Sequence, residues 1–332
     1  MEFRIGAPFL LILRMQLGGN SVKKEFYYPS KDGKTQIHAV EWIPEGEVTA
    51  VLQLCHGMVE YIDRYDAFAC FLNEKGYYVV GHDHLGHGKS IVSEDKFGFF
   101  HESKGNACVI GDIHYLRKLT QKKYQDVPYF MLGHSMGSFL LRQYIGLYGN
   151  GLSGAIVMGT GNKPDFILSA GKLLCRLLAT VRGWEYRSDL VNNMAFGGFN
   201  RKFVHETNGS NWLSRNPVNA RNYAKDPLCS FVFTVNAYYE MFCGIQAVNR
   251  QERNGKIPKT LPVFFVAGKD DPVGNFGKSV ENIYKNYKSC GIKDVSIKLY
   301  ENDRHEILNE VDRNMVFDDL LTWMEKRANK KK

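Results

Sequence analysis

The sequence predicts an α/β architecture in which a mostly parallel central sheet is flanked by helices and carries an inserted helical lid. Three observations support this prediction. Apolar runs of strand length alternate with helical patterns, and the runs are continuously apolar, as in strands covered on both faces. One run leads into Gly133-His134-Ser135-Met136-Gly137, a glycine-flanked serine followed by a helical pattern that begins at Ser138. The strand–helix rhythm stops after Thr160 and resumes only at Leu261. At 332 residues and 44% hydrophobic, the chain can bury one large core plus an insert.

Taken in order, residues 1–23 read as a leader, expected to be disordered or loosely attached. Ala7 to Leu13 has the apolarity of a signal-peptide core, but Arg14 ends it and no convincing small-x-small cleavage site follows. Met15 is an alternative start to Met1. Lys24–Tyr28 and Gln36–Trp42 alternate around the turn Ser30-Lys31-Asp32-Gly33 and predict a hairpin. Thr49–Cys55 is a buried strand followed by His56-Gly57-Met58-Val59-Glu60, and a helix spans about Arg64 to Lys75, with Gly76 as its stop. Tyr77–Gly81 is the next strand, running into His82-Asp83-His84-Leu85-Gly86-His87-Gly88-Lys89-Ser90. A helix from about Ala107 to Lys123, the strand before Ser135, a helix to about Tyr148 and the strand Gly154–Gly159 complete the first half.

From Pro164 to about Arg250 the chain is helical and crowded with aromatics, without a convincing strand. Residues 164–227 are therefore expected to form a helical cap over the carboxyl ends of the strands, where open sheets bind ligands. The core is assigned to 24–163 and 228–328. Strands Leu261–Ala267 and Val295–Tyr300 and a helix from about Met315 to Arg327 close it, leaving 329–332 as a basic tail.

The formal charge of +8 comes partly from the ends, and no basic stretch alternates with aromatics, which argues against nucleic acid. Weak peripheral contact with an anionic membrane, through the lid and basic tail, is left open. The seven cysteines are odd in number, scattered, and without a Cys-x-x-Cys pair, which points to reduced thiols and a cytoplasmic location. No run approaches the ~18 apolar residues of a membrane span.

A strand that stops at Gly-x-Ser-x-Gly and restarts as a helix pushes the serine hydroxyl out at the sheet's carboxyl end, making Ser135 the candidate nucleophile. Such a serine needs a base, and the base needs a group to fix its tautomer. Two histidines follow Ser135: His305, directly after the last strand, and His205, inside the insertion. His305 is preferred as base. Gly268-Lys269-Asp270-Asp271-Pro272 offers two acids, and Asp271, at the turn before Pro272, is preferred over Asp270. Donors for a developing oxyanion are expected from the backbone N–H groups of Met136 and Met58, with Gly57 allowing close approach. His82, His84 and His87 with Asp83 suggest a metal site, but no second ligand set accompanies them and the glycines suggest a tight turn. No metal and no cofactor are expected.

These motifs together resemble an α/β-hydrolase of the monoacylglycerol lipase and lysophospholipase type, from about Lys24 to Lys326. In that resemblance Ser135, Asp271 and His305 correspond to the catalytic triad, Met58 and Met136 to the oxyanion donors, and the insertion to the lid. Where the family often has histidine after the Glu of its first motif, this chain has Tyr61. The resemblance implies a cofactor-free serine hydrolase of carboxylic esters acting on a small lipid-like acyl ester. The alternatives are a peptidase or amidase on the same scaffold and a catalytically silent binding protein. Dehalogenase or epoxide hydrolase chemistry would need a carboxylate in place of Ser135.

Overall fold

The computed structural model describes residues 16–17, 22–206 and 210–328. Most of the expected leader, with both candidate starts, and the tail at 329–332 lie outside the described residues. The strands are β1 (Gln16–Leu17), β2 (Val22–Pro29), β3 (Gln36–Ile43), β4 (Ala50–Cys55), β5 (Tyr77–His82), β6 (Tyr129–His134), β7 (Gly154–Met158), β8 (Val263–Gly268) and β9 (Val295–Tyr300). The helices are α1 (Asp66–Asn73), α2 (Gly105–Lys123), α3 (Met136–Tyr148), α4 (Asp165–Arg182), α5 (Asp189–Phe196), α6 (Pro217–Lys225), α7 (Val235–Arg253), α8 (Lys278–Ser289) and α9 (Arg313–Ala328).

The strands form one sheet in the order β1-β2-β3-β5-β4-β6-β7-β8-β9. Pairs from β1 to β5 are antiparallel, and every pair from β5 to β9 is parallel. Inside the expected leader, Gln16 pairs with Lys23 and Leu17 with Val22, so β2 starts before Lys24. The β2–β3 turn closes because the Asp32 carboxylate accepts the N–H groups of Lys34 and Thr35, with Gly33 at φ 77°.

Strands β4, β5, β6, β7 and β8 are buried along their whole length, which is why their sequences are apolar without alternation. Besides His82 and His134 at strand ends, Gln53 is a polar residue within them, and both ends of its amide are satisfied: it donates to Ile113 O at 3.0 Å and accepts from Tyr129 Oη at 2.6 Å. One face of the sheet packs against α1 and α9 through Phe68, Leu72, Phe317 and Leu320, and the other against α2, α3 and α8 through Ile113, Leu141, Tyr144 and Ile283. Each such fully buried side chain contributes about 1.5–3 kcal/mol. Helix α8 is not predicted from the sequence. Its apolar stripe is only Val280, Ile283 and Tyr287 among polar residues, a signal that becomes legible once the sheet beneath it is known.

β4 connects to β5 on one side, and the chain then crosses back to place β6 on the other side of β4. This reversal opens a crevice at the carboxyl ends of β4 and β6, the position where open sheets bind ligands. Between β7 and β8 the chain adds α4, α5, α6 and α7. Helix α7 packs on both α3 and α4, joining this material to the core.

Candidate active site

Ser135 terminates β6 with φ 53° and ψ −119°, a backbone conformation that L residues rarely adopt. The two glycines around it are required by contact. A Cβ on Gly133 would lie 2.3 Å from Gly137 O, and one on Gly137 would lie 2.1 Å from Cys55 O on the neighbouring strand. Helix α3 begins at Met136, earlier than the sequence pattern suggests, so the helix starts directly after the serine. The strained turn is held by Ser135 N–H donating to Met158 O at 3.0 Å and by Ser138 Oγ donating to Ser135 O at 2.6 Å.

His305 follows β9 and Asp271 follows β8, and both side chains are buried. Nδ1–H of His305 donates to Asp271 Oδ2 at 3.0 Å, while Asp271 Oδ1 accepts from Val273 N–H at 2.8 Å. Nε2 of His305 is buried without a hydrogen-bond partner among the described residues, and its ring lines the same cavity as Ser135. The serine and imidazole make no hydrogen bond to each other, as is common before substrate tightens a site. Of the alternatives, Asp270 is instead paired with Lys202, and His205 is exposed.

Met136 stands at the first position of α3, where helix geometry leaves its N–H without an intrahelical acceptor. Met58 follows Gly57, which passes so close to the nucleophile that a Cβ there would lie 2.9 Å from Ser135 Cβ, and only glycine permits this approach. The peptide planes around Gly57 are held from both sides: its N–H donates to Glu60 Oε1, and its carbonyl accepts from His56 Nδ1–H at 2.7 Å. Met58 and Met136 both line the cavity floor beside Ser135.

Two compartments meet at Ser135. The first, about 270 Å³, has a polar end formed by Glu60, His134 and Glu306. The second, about 150 Å³, is bounded by α4, α5 and α7 through Leu168, Leu174, Met194, Phe196, Met241 and Ile245 and is apolar. Glu60 and His134 belong to motifs marked in the sequence, but the polar end they form depends on contacts between distant elements. Glu60 Oε1 accepts from His134 Nδ1 at 2.9 Å and Tyr65 Oη at 3.0 Å, and Arg64 binds Glu306 through both guanidinium nitrogens at 2.6 and 2.8 Å. Burial alone would raise the Glu60 carboxyl, but His134 and Arg64 outweigh it and hold it well below the usual carboxylate range. Burial pulls His134 down, and the Glu60 charge more than offsets this, leaving the imidazole above its ordinary value.

The His82-Asp83-His84 motif has a structural account. The Asp83 carboxylate accepts from Ile62 N–H at 2.9 Å, Lys89 N–H at 2.8 Å and His38 Nδ1 at 2.8 Å. Burial, reinforced by neighbouring His56, lowers His82 and His87 to about 3, so both are neutral imidazoles. Among the described residues, no group of three or more metal-ligating side chains converges.

The family model described as "Serine aminopeptidase, S33" matches residues 46–312. Monoglyceride lipase of Rattus norvegicus is 28% identical over 301 residues, covering 86% of each chain. Monoacylglycerol lipase of Mycolicibacterium smegmatis is 23% identical, covering 92% of this chain and 98% of that one. Among solved structures, a thermostable carboxyl esterase from Bacillus coagulans in complex with glycerol superposes with TM-score 0.85 at 28% identity, over 92% of this chain and 99% of that one. A soluble variant of monoglyceride lipase from Saccharomyces cerevisiae, at 23% identity and TM-score 0.73, shares the fold.

Proposed function

Because the chain belongs to the serine aminopeptidase S33 family of α/β-hydrolases, we propose that its site cleaves carboxylic esters of lipid-like substrates, monoacylglycerols or lysophospholipids, through an acyl-enzyme. The observation that carries the residue roles is the Asp271–His305 hydrogen bond, which leaves Nε2 unpartnered in the cavity lined by the strained Ser135. In this reading the Ser135 hydroxyl attacks the ester carbonyl as Nε2 of His305 takes its proton. The carbonyl oxygen becomes an oxyanion held by the N–H groups of Met58 and Met136. Collapse breaks the acyl–oxygen bond, and His305 returns the proton to the departing alcohol. Water, deprotonated by the same nitrogen, then attacks the acyl-enzyme and releases the acid and the serine. Asp271 keeps the imidazole in the Nδ1–H tautomer and stabilises the imidazolium that forms.

The apolar compartment suits the acyl chain, and the polar one suits a hydroxyl-bearing head group. Ester rather than amide cleavage is favoured because the chain is similar to monoglyceride lipases over most of its length. In this reading residues 164–227 act as the cap. Phe166, Leu173, Leu177 and Val181 lie exposed along α4 beside Lys172, Arg176 and Arg182, which suits weak contact with a lipid surface. Cosedimentation with anionic vesicles checks this, and a Leu173→Ser/Leu177→Ser variant that binds as well as the parent would refute it. A cytoplasmic location fits the seven cysteines, none of which is joined to another. No helix among the described residues is long and apolar enough to cross a membrane.

The decisive experiment is Ser135→Ala. Hydrolysis of a long-chain monoglyceride and covalent labelling by a fluorophosphonate are both expected to disappear with the fold intact. Retained ester turnover in that variant would overturn the mechanism.

A further inference from the structure

Residues 303–306, which carry His305, are bound one after another to the inserted segment. Asp303 Oδ1 accepts from Arg215 Nε at 3.1 Å and Nη2 at 3.0 Å. The Arg304 guanidinium pairs with both oxygens of Glu206, donates to Asn211 O at 2.7 Å, and lies 3.9 Å from the ring centre of Phe203. The His305 ring lies tilted against Trp212, ring centres 5.0 Å apart, and Glu306 N–H donates to Leu213 O at 2.8 Å. On the sheet side, the same stretch is held by Asp270 N–H donating to Asp303 O at 2.9 Å and by the contacts of His134 and Asp271 with His305.

We infer that residues 203–206 and 210–215 of the inserted segment act as a clamp that sets the position of His305, with Arg304 and Glu206 as its positioning residues. The inference rests on His305 being the base, as proposed above. Residues 301–306 form no regular element, and Asn302 sits at φ 64°, so the loop is held by single contacts rather than a continuous ladder, with Arg64 on Glu306 and Glu310 on the Arg304 N–H adding to those from the insertion. Neither Arg304 nor Glu206 lines the two compartments, so substrate contact does not account for them. A planar guanidinium with a bidentate carboxylate on its edge and an aromatic ring on its face is fixed in orientation as well as in place. Its backbone leads directly into His305. Because the imidazole makes no hydrogen bond to Ser135 here, the last part of its approach depends on where this loop is held, and a displacement of about 1 Å costs on the order of 10²-fold in rate.

The test uses the full chain with a short-chain ester, whose small acyl group reports on chemistry more than on chamber fit. Glu206 is the more exposed partner, so the isosteric Glu206→Gln keeps the fold testable. Glu206→Gln is expected to lower kcat by roughly 10- to 100-fold, with KM within about twofold and little change in Tm, whereas Arg304→Gln, which removes a buried guanidinium, is expected to lower kcat similarly and Tm as well, and Arg304→Lys to recover part of the loss in kcat. Lys269→Ala, which removes an exposed ion pair to Glu301 made without the insertion, is expected to leave kcat unchanged. The clamp is overturned if Glu206→Gln and Arg304→Gln keep kcat within twofold of the parent, or if KM and Tm of Glu206→Gln deteriorate in step with its kcat and Arg304→Lys is no better than Arg304→Gln. Turnover retained by His305→Ala would instead overturn the assignment of the base. An inactive His305→Ala beside a fully active Glu206→Gln would overturn the clamp alone.

Discussion

At the scale of the residue, Glu60 bears the most structural consequence outside the proposed catalytic group. One buried carboxylate accepts from the Gly57 amide, His134, Tyr65 and Arg64, and so joins the loop after β4, the serine turn and the polar wall of the cavity. Each of those donors is itself buried or nearly so, and removing the charge leaves them without their shared acceptor. Glu60→Gln is expected to destabilise the protein by about 3–5 kcal/mol, the cost of breaking one side of a buried ion network. The Glu60 carboxyl is depressed by folding, so its stabilising contribution is present above the unfolded value near 4.5 and is lost as pH falls toward the folded value. Urea melts at pH 7 and pH 4 check both statements: the gap between parent and variant should narrow at the lower pH. A gap that is equal at both would show that the charge is not what Glu60 supplies.

At the scale of the element, the legible parts were those whose signal is local. Continuous apolar runs marked β4 to β8, and the glycines at 133 and 137 marked a turn that a Cβ would close off. Asp271 and His305 were legible because strand ends are where such side chains emerge. The polar wall and the anchors of Arg304 were not, since Arg64 meets Glu306 only when the loops after β4 and β9 are brought together, and Arg304 meets Glu206 only after the insertion folds over the sheet. The apolar compartment is likewise a property of an element pair. Helix α4 supplies Leu168 and Leu174 and helix α7 supplies Met241 and Ile245, and the width between them sets the room for an acyl chain. Leu174→Trp is expected to fill part of that space. KM for a long-chain monoglyceride should rise by roughly tenfold or more, as crowding costs about 1–3 kcal/mol, while a short-chain ester is turned over as before. An unchanged chain-length profile would place the acyl chain elsewhere.

Across the whole molecule, two populations of buried carboxylates pull stability in opposite directions with pH. Glu60 and Glu306 are held low by His134 and Arg64 and favour the fold when ionised. Asp112 and Asp303 are pushed up to about 7 by burial, Asp303 also by neighbouring Glu310 and Asp312. For these two the native state holds a proton that the unfolded chain releases near pH 4, so stability falls as pH rises from about 4 to about 7. Buried His82 and His87, lowered to about 3, act against this on the acid side, because the unfolded chain protonates its histidines below about 6.5 and stability is lost there as pH falls, so the carboxylate contribution is read at a single site. Asp112 isolates the effect because it lies far from the proposed chemistry, joining α2 to the β2–β3 turn through Ser30 Oγ and Lys31 N–H, both at 2.7 Å. Asp112→Asn keeps the shape and both contacts, since the amide can accept from Lys31 and donate to the Ser30 hydroxyl. Thermal melts should show the variant more stable than the parent at pH 7.5, by at most roughly 4 kcal/mol, and equal to it near pH 4. A variant less stable than the parent at pH 7.5 would mean that Asp112 serves the fold as an anion.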